Sequence, residues 1–138
     1  DWSSDVCSSD LVEAFRVALT EQGRTAAEIE RRTDRMAQAL LRKRSHVIAR
    51  TELIDAASEG QQQLWQQAAD SGILERDRAR RFWLTAADDR VDVQVCEPIP
   101  FLNPDGVRLG EPFETPLGPR MRPTAHPMCR CVVTMRII

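Results

Sequence analysis

The chain has 138 residues, 42% of them hydrophobic and 29% charged, with a formal net charge of -2 at neutral pH. That balance suits one domain with a modest core and argues against a strongly polyanion-binding protein. No segment approaches the roughly 18 consecutive apolar residues needed to cross a bilayer.

The opening stretch DWSSDVCSSD (1–10) is not a secretory signal, because it lacks both a basic start and an apolar run of roughly 7–15 residues. It resembles the translation of a common sequencing adapter, with Leu11 at the doubtful edge. Residues 1–10 are therefore read as non-native, expected to pack against nothing, with the true N-terminus lost. Setting them aside removes Asp1, Asp5, Asp10 and Cys7, so acids fall from 21 to 18 against 19 bases and the net charge becomes +1. Lys43 is the single lysine among those bases, a skew that reflects a GC-rich genome more than a function. Three cysteines remain, Cys96, Cys129 and Cys131. An odd number does not close a disulfide framework and favours reduced thiols or metal ligands.

Val12, Phe15 and Leu19 recur at three- and four-residue spacing and predict a helix over 12–22 that ends near Gly23. Thr25 and Glu28 form a capping box that opens a second helix. Ile29, Met36 and Leu40 share its first apolar stripe. Without Gly or Pro before Glu59, the helix continues or merely bends into a second run, Val47, Thr51, Ile54, Ala57, Leu64 and Ala68, and stops at Gly72. A strand is predicted over Phe82–Thr85, and the alternation of Val91, Val93 and Val95 suggests another. Residues 97–128 hold all eight prolines and read as an irregular loop with at most short strands, anchored by Phe113 and Leu117. The β-branched end of CRCVVTMRII predicts a closing strand. The fold class is α+β: long N-terminal helices (11–72), then a small antiparallel sheet with a Pro/Gly-rich loop and a Cys/His cluster (73–138).

His126, Cys129 and Cys131 in HPMCRC place three metal-ligating groups within six residues. In an extended segment residues two apart face the same side, so both cysteines can meet one ion. Cys96 completes a Cys3His set suited to a closed structural zinc site, and Asp92 is an alternative oxygen ligand. The same residues also fit a bland account, with Cys131 as a small core residue and His126 in a turn. A catalytic Cys–His pair would need an orienting group and an oxyanion hole, and neither is visible. The arginine clusters RRTDR, RKR and RDRARR interleave with Glu28, Glu30, Asp34, Glu75 and Asp77, as solvated ion-paired helix faces do. Trp65 and Trp83 read as packing residues.

Five pieces in order carry a resemblance: ARTEL (49–53), WLTAADDRV (83–91), Asp105-Gly106, EPF (111–113) and HPMCRC (126–131). Over residues 30–134 the chain resembles the phage head morphogenesis domain, the family of phage Mu protein F and of minor head proteins of other tailed phages. The resemblance implies a non-enzymatic minor capsid protein of a phage or prophage that assists procapsid assembly near the portal. Its implied partners are portal, scaffold or capsid proteins, without a membrane and with DNA contact not supported by charge. Its implied location is the virion or procapsid, and the host cytoplasm during assembly. Family members often carry a Cys-x-x-Cys or a His after the D-x-R run. Here Asp92-Val-Gln-Val-Cys96 departs from that, which leaves the fourth ligand open between Cys96 and Asp92. His126, Cys129 and Cys131 carry over directly, with one structural zinc as the cofactor. Arg50, Glu52, Trp83, Thr85, Asp89, Arg90, Gly106 and Phe113 match motif positions and are expected to organise the domain, Asp89 and Arg90 by pinning the turn after the first strand. The alternatives are a zinc-dependent enzyme or toxin-associated module, and a nucleic-acid-binding zinc module.

Overall fold

The computed structural model describes residues 8–138. The adapter-like stretch lies outside the described residues except for Ser8–Asp10, which open the first helix. The architecture is α+β, in the order α1 (Ser8–Glu21), α2 (Ala26–Asp70), β1 (Ala79–Leu84), α3 (Ile99–Leu102), β2 (Val107–Arg108) and β3 (Val132–Ile137). Among the described residues no helix is long and apolar enough to cross a membrane.

Gly23 takes a φ of 70° after α1, a left-handed conformation that glycine adopts without steric cost. Thr25 then accepts the Glu28 N–H at 3.3 Å and caps α2. The Glu28 carboxylate does not close the box; it pairs with Arg24 and Arg32 at 3.5 and 3.3 Å. Helix α2 runs unbroken for 45 residues.

Two compact units divide at His46 and Val47. Among the described residues of the first, only Leu19 and Thr33 are buried. The second unit contains a three-stranded antiparallel sheet in the order β2-β1-β3. Alternation along β1 points Ala79, Arg81 and Trp83 inward, as the two-residue period of a strand requires. Trp83 lies opposite Val133 and meets the edge of Phe113, with ring centroids 5.3 Å apart. Around this pair cluster Cys96, Ile99, Ala125, Cys129, Cys131 and Val133, with Trp65 packed at the margin.

Arg81 is fully buried. Its guanidinium donates to Gln62 Oε1 and the Met121 carbonyl, both at 2.7 Å, and to the carbonyls of Arg108 and Glu111. It also sits 5.0 Å from the Phe113 ring centre. Burial pulls its pKa down to about 10, with Glu111 opposing. One planar fork thus fastens α2, β2 and two stretches of the proline-rich loop to β1.

The structure corrects several expectations. Strand β1 starts at Ala79, not Phe82. Val91–Val95 is a turn rather than a strand, because the Asp92 carboxylate accepts the Gln94 and Val95 N–H groups, both at 2.9 Å; such local bonds compete with ladder formation. Phe113 is a core anchor, whereas Leu117 is 56% exposed and Leu109 is buried in its stead. Leu64 in the expected α2 stripe is 64% exposed. The second half of α2 instead docks through Thr51, Asp55, Glu59, Gln62 and Trp65.

Candidate metal centre

The loop 124–131 is held on α2 and on the turn after β1. The Thr51 hydroxyl accepts the Met128 N–H at 3.1 Å, which helps hold Met128 at a φ of 60°, an unusual conformation for a residue with a side chain. The turned loop places Cys129 inward. Asp88 grips Arg130 with both carboxylate oxygens and also accepts the Arg90 N–H. That grip holds Asp88 well below the usual carboxylate range and raises Arg130. On the opposite side, the Asp92 turn ends at Cys96, whose N–H bonds the Asp92 carbonyl at 2.9 Å.

These supports bring Cys96, His126 and Cys129 together, with their ligand atoms within 4.8 Å of one another. The sulfurs of Cys96 and Cys129 are 3.8 Å apart, and His126 Nε2 is 3.0 Å from the Cys96 sulfur. The group could hold a metal ion. His126 Nδ1 lies 2.7 Å from the Pro127 carbonyl, an acceptor only, so the proton sits on Nδ1 and Nε2 keeps the lone pair a metal needs.

Electrostatics fit the same use. The neighbouring Cys131 thiol, with the backbone N–H groups of Ala125 and Cys131, lowers Cys129 to about 5 against the effect of burial. Burial and the Cys129 charge push Cys96 up to about 12, and Cys131, which keeps its proton for Cys129, is raised as well. These shifts run in opposite directions, favouring the anionic form at Cys129 and the protonated form at Cys96 and Cys131, and a bound ion would deprotonate the latter two. Beside it lies a void of about 10 Å³ lined by Cys96, His126, Cys131 and Asp92 among others.

Of the expected ligands, the structure gathers Cys96, His126 and Cys129; Cys131 is buried in the same core cluster but stands outside the close ligand group. Asp92 borders the void, but at least one of its oxygens is committed to capping its turn, and it stands outside the close ligand group. Of the motif positions, Trp83 and Phe113 form the core. Gly106 has a φ of 67° and sits where a Cβ would lie 2.7 Å from the Arg81 carbonyl, so only glycine fits. Thr85 is half-buried, and Arg50 and Glu52 are exposed; in that stretch Thr51 makes the contact. The turn after β1 is pinned by Asp88, with the Arg90 N–H as one donor, and not by Asp89. Sequence reasoning also missed Arg81 and Gln62. No family model, curated protein or solved structure matches the chain.

Proposed function

We propose that this chain is a non-enzymatic minor head morphogenesis protein of a tailed phage or prophage, acting near the portal, with its C-terminal unit stapled by one structural zinc ion. The ligands would be Cys96, His126, Cys129 and Cys131. What supports the reading is that the five resembling pieces, scattered over residues 49–131, converge in one folded unit. Thr51 of the first bonds Met128 of the last, Trp83 and Phe113 pack together, and Gly106 closes against β1. Three thiolates and one imidazole match zinc, whose structural sites are closed and four-coordinate.

The cavity beside the cluster favours a structural over a catalytic role. At about 10 Å³ it admits little more than a single water, whereas substrate pockets measure hundreds of Å³. Two measurements test the proposal. Elemental analysis of the purified chain should find zinc near one equivalent. Flanking genes for a portal protein and a terminase would support the phage assignment, and a neighbourhood without either would sink it.

A second reading, nucleic-acid binding, draws on one observation. From Arg35 to His46 helix α2 carries Arg35, Arg42, Lys43 and Arg44, all exposed, and no carboxylate. Affinity for duplex DNA that falls steeply with salt would favour it; binding insensitive to salt would exclude it.

A further inference from the structure

Trp83 is 2% exposed, yet its indole N–H has no hydrogen-bond partner. A buried donor left without an acceptor is uncommon and calls for a physical reason. The ring cannot easily turn away, because Phe113 holds it edge-on at an interplanar angle of 76°. The register shows what it faces. Trp83 pairs with Val133, and Cys131 stands just before β3, two residues ahead of Val133; both are buried while Val132 between them is exposed, so Cys131 continues the inward side of the strand. Trp83 and Cys131 belong to the same buried cluster, and the Trp83 N–H acts on the Cys131 sulfur only as a weak donor, short of a formed hydrogen bond.

A protonated thiol is a weak acceptor, whereas a metal-bound thiolate accepts strongly from an N–H donor. Two of the other ligands already have outer-shell partners: backbone N–H groups serve Cys129, and the Pro127 carbonyl orients His126.

We infer that the buried indole N–H of Trp83 is the donor reserved for a metal-bound Cys131 thiolate, so that a β1 residue outside the ligand set positions the fourth ligand. This rests on the metal site proposed above. Trp83 is thus a positioning residue: it orients Cys131, as outer-shell donors do at metal centres. The weak contact of the metal-free fold becomes a full hydrogen bond on loading.

The full chain, labelled with ¹⁵N at its indoles and loaded with ¹¹³Cd, tests this. Trp2→Phe and Trp65→Phe variants identify the Trp83 signal. The expected result is a downfield shift of the Trp83 indole proton on loading, with scalar coupling to cadmium through the sulfur, and neither effect at Trp65. Trp83→Phe should bind one equivalent of zinc about ten- to a hundredfold more weakly in competition with a chelator. One bound cadmium with an unmoved, uncoupled Trp83 signal overturns the inference while leaving the metal site standing. A chain that takes up no cadmium overturns both.

Discussion

The two units of the chain are held together by different means. Up to His46 the described residues are helix and connecting turn, and burial is limited to one leucine and a threonine whose hydroxyl finds no partner. From Val47 on, two short strands, a two-residue third and a long proline-rich loop surround a core whose members include an arginine and three cysteines. Helices satisfy their own backbone hydrogen bonds except at their ends, so few polar groups are left for side chains to pair. The loop pairs its own backbone only in places, as between Phe113 and Arg120, and side chains supply much of the rest: Arg81 to three carbonyls, Asn103 to the carbonyls of Ile99 and Glu114, Thr51 to Met128. Order in the second unit therefore depends on a few polar and soft groups, each irreplaceable by bulk apolar surface.

The strongest challenge to that contrast is metal removal. A chelator, or Cys129→Ser, should weaken the second unit without unfolding it, moving the loss of the dispersed NMR signals of β1, β3 and the loop to lower denaturant while the helical circular dichroism transition of the first unit stays put. A second-unit transition that does not move would break the comparison. Next is Arg81→Met, which leaves several buried carbonyls and Gln62 without their donor. A loss of about 3 kcal/mol is expected in denaturant unfolding of the second unit. Gly106→Ala should cost about 2 kcal/mol, since a Cβ there meets the Arg81 carbonyl at 2.7 Å in a left-handed conformation. Leu19→Ala should cost about 1 kcal/mol, less than a core leucine usually does, because no other apolar residue described in its unit is buried with it to hold a cavity open. Zinc affinity should be unchanged, and a change would show that the units are coupled.

The smallest effect concerns protons. In the metal-free chain Cys129 lies near 5 against an ordinary thiol value of 9.0. A depressed value stabilises the fold fully above pH 9 and progressively less as pH falls toward 5. Thiolate absorbance should show one ionised thiol at neutral pH that disappears near pH 5. Cys96, raised to about 12, stays protonated through that window.

The legible parts of this chain carried their chemistry within a few residues. Thr25 and Glu28 marked the start of α2, Gly72 its end, and HPMCRC announced ligands whatever the fold around them. The parts that depended on register or on distant partners were opaque. Arg81 stood in RDRARR and looked like surface charge, since only the pairing of β1 with β2 and β3 turns it inward. Asp88 and Asp89 are neighbours of one chemistry, and the position of Arg130 chooses between them. Val91, Val93 and Val95 kept the period of a strand while Asp92 between them folded a turn. On α2 the periodic run included Thr51, but the rest of the docking stripe was hidden because it is polar, and apolar spacing gives no sign of Asp55, Glu59 and Gln62.

The Arg81 fork also bears on how this unit can form. Its acceptors lie 19, 27, 30 and 40 residues away along the chain. A partly assembled form that buries the guanidinium before all four segments arrive holds a dehydrated charge with vacant donors, so it gains little over the open chain. Closing such long loops is entropically unrewarded until the last contact is made. Arg81 thus acts as a gate on intermediates: segments join together or stay apart, and the second unit should unfold in a single transition.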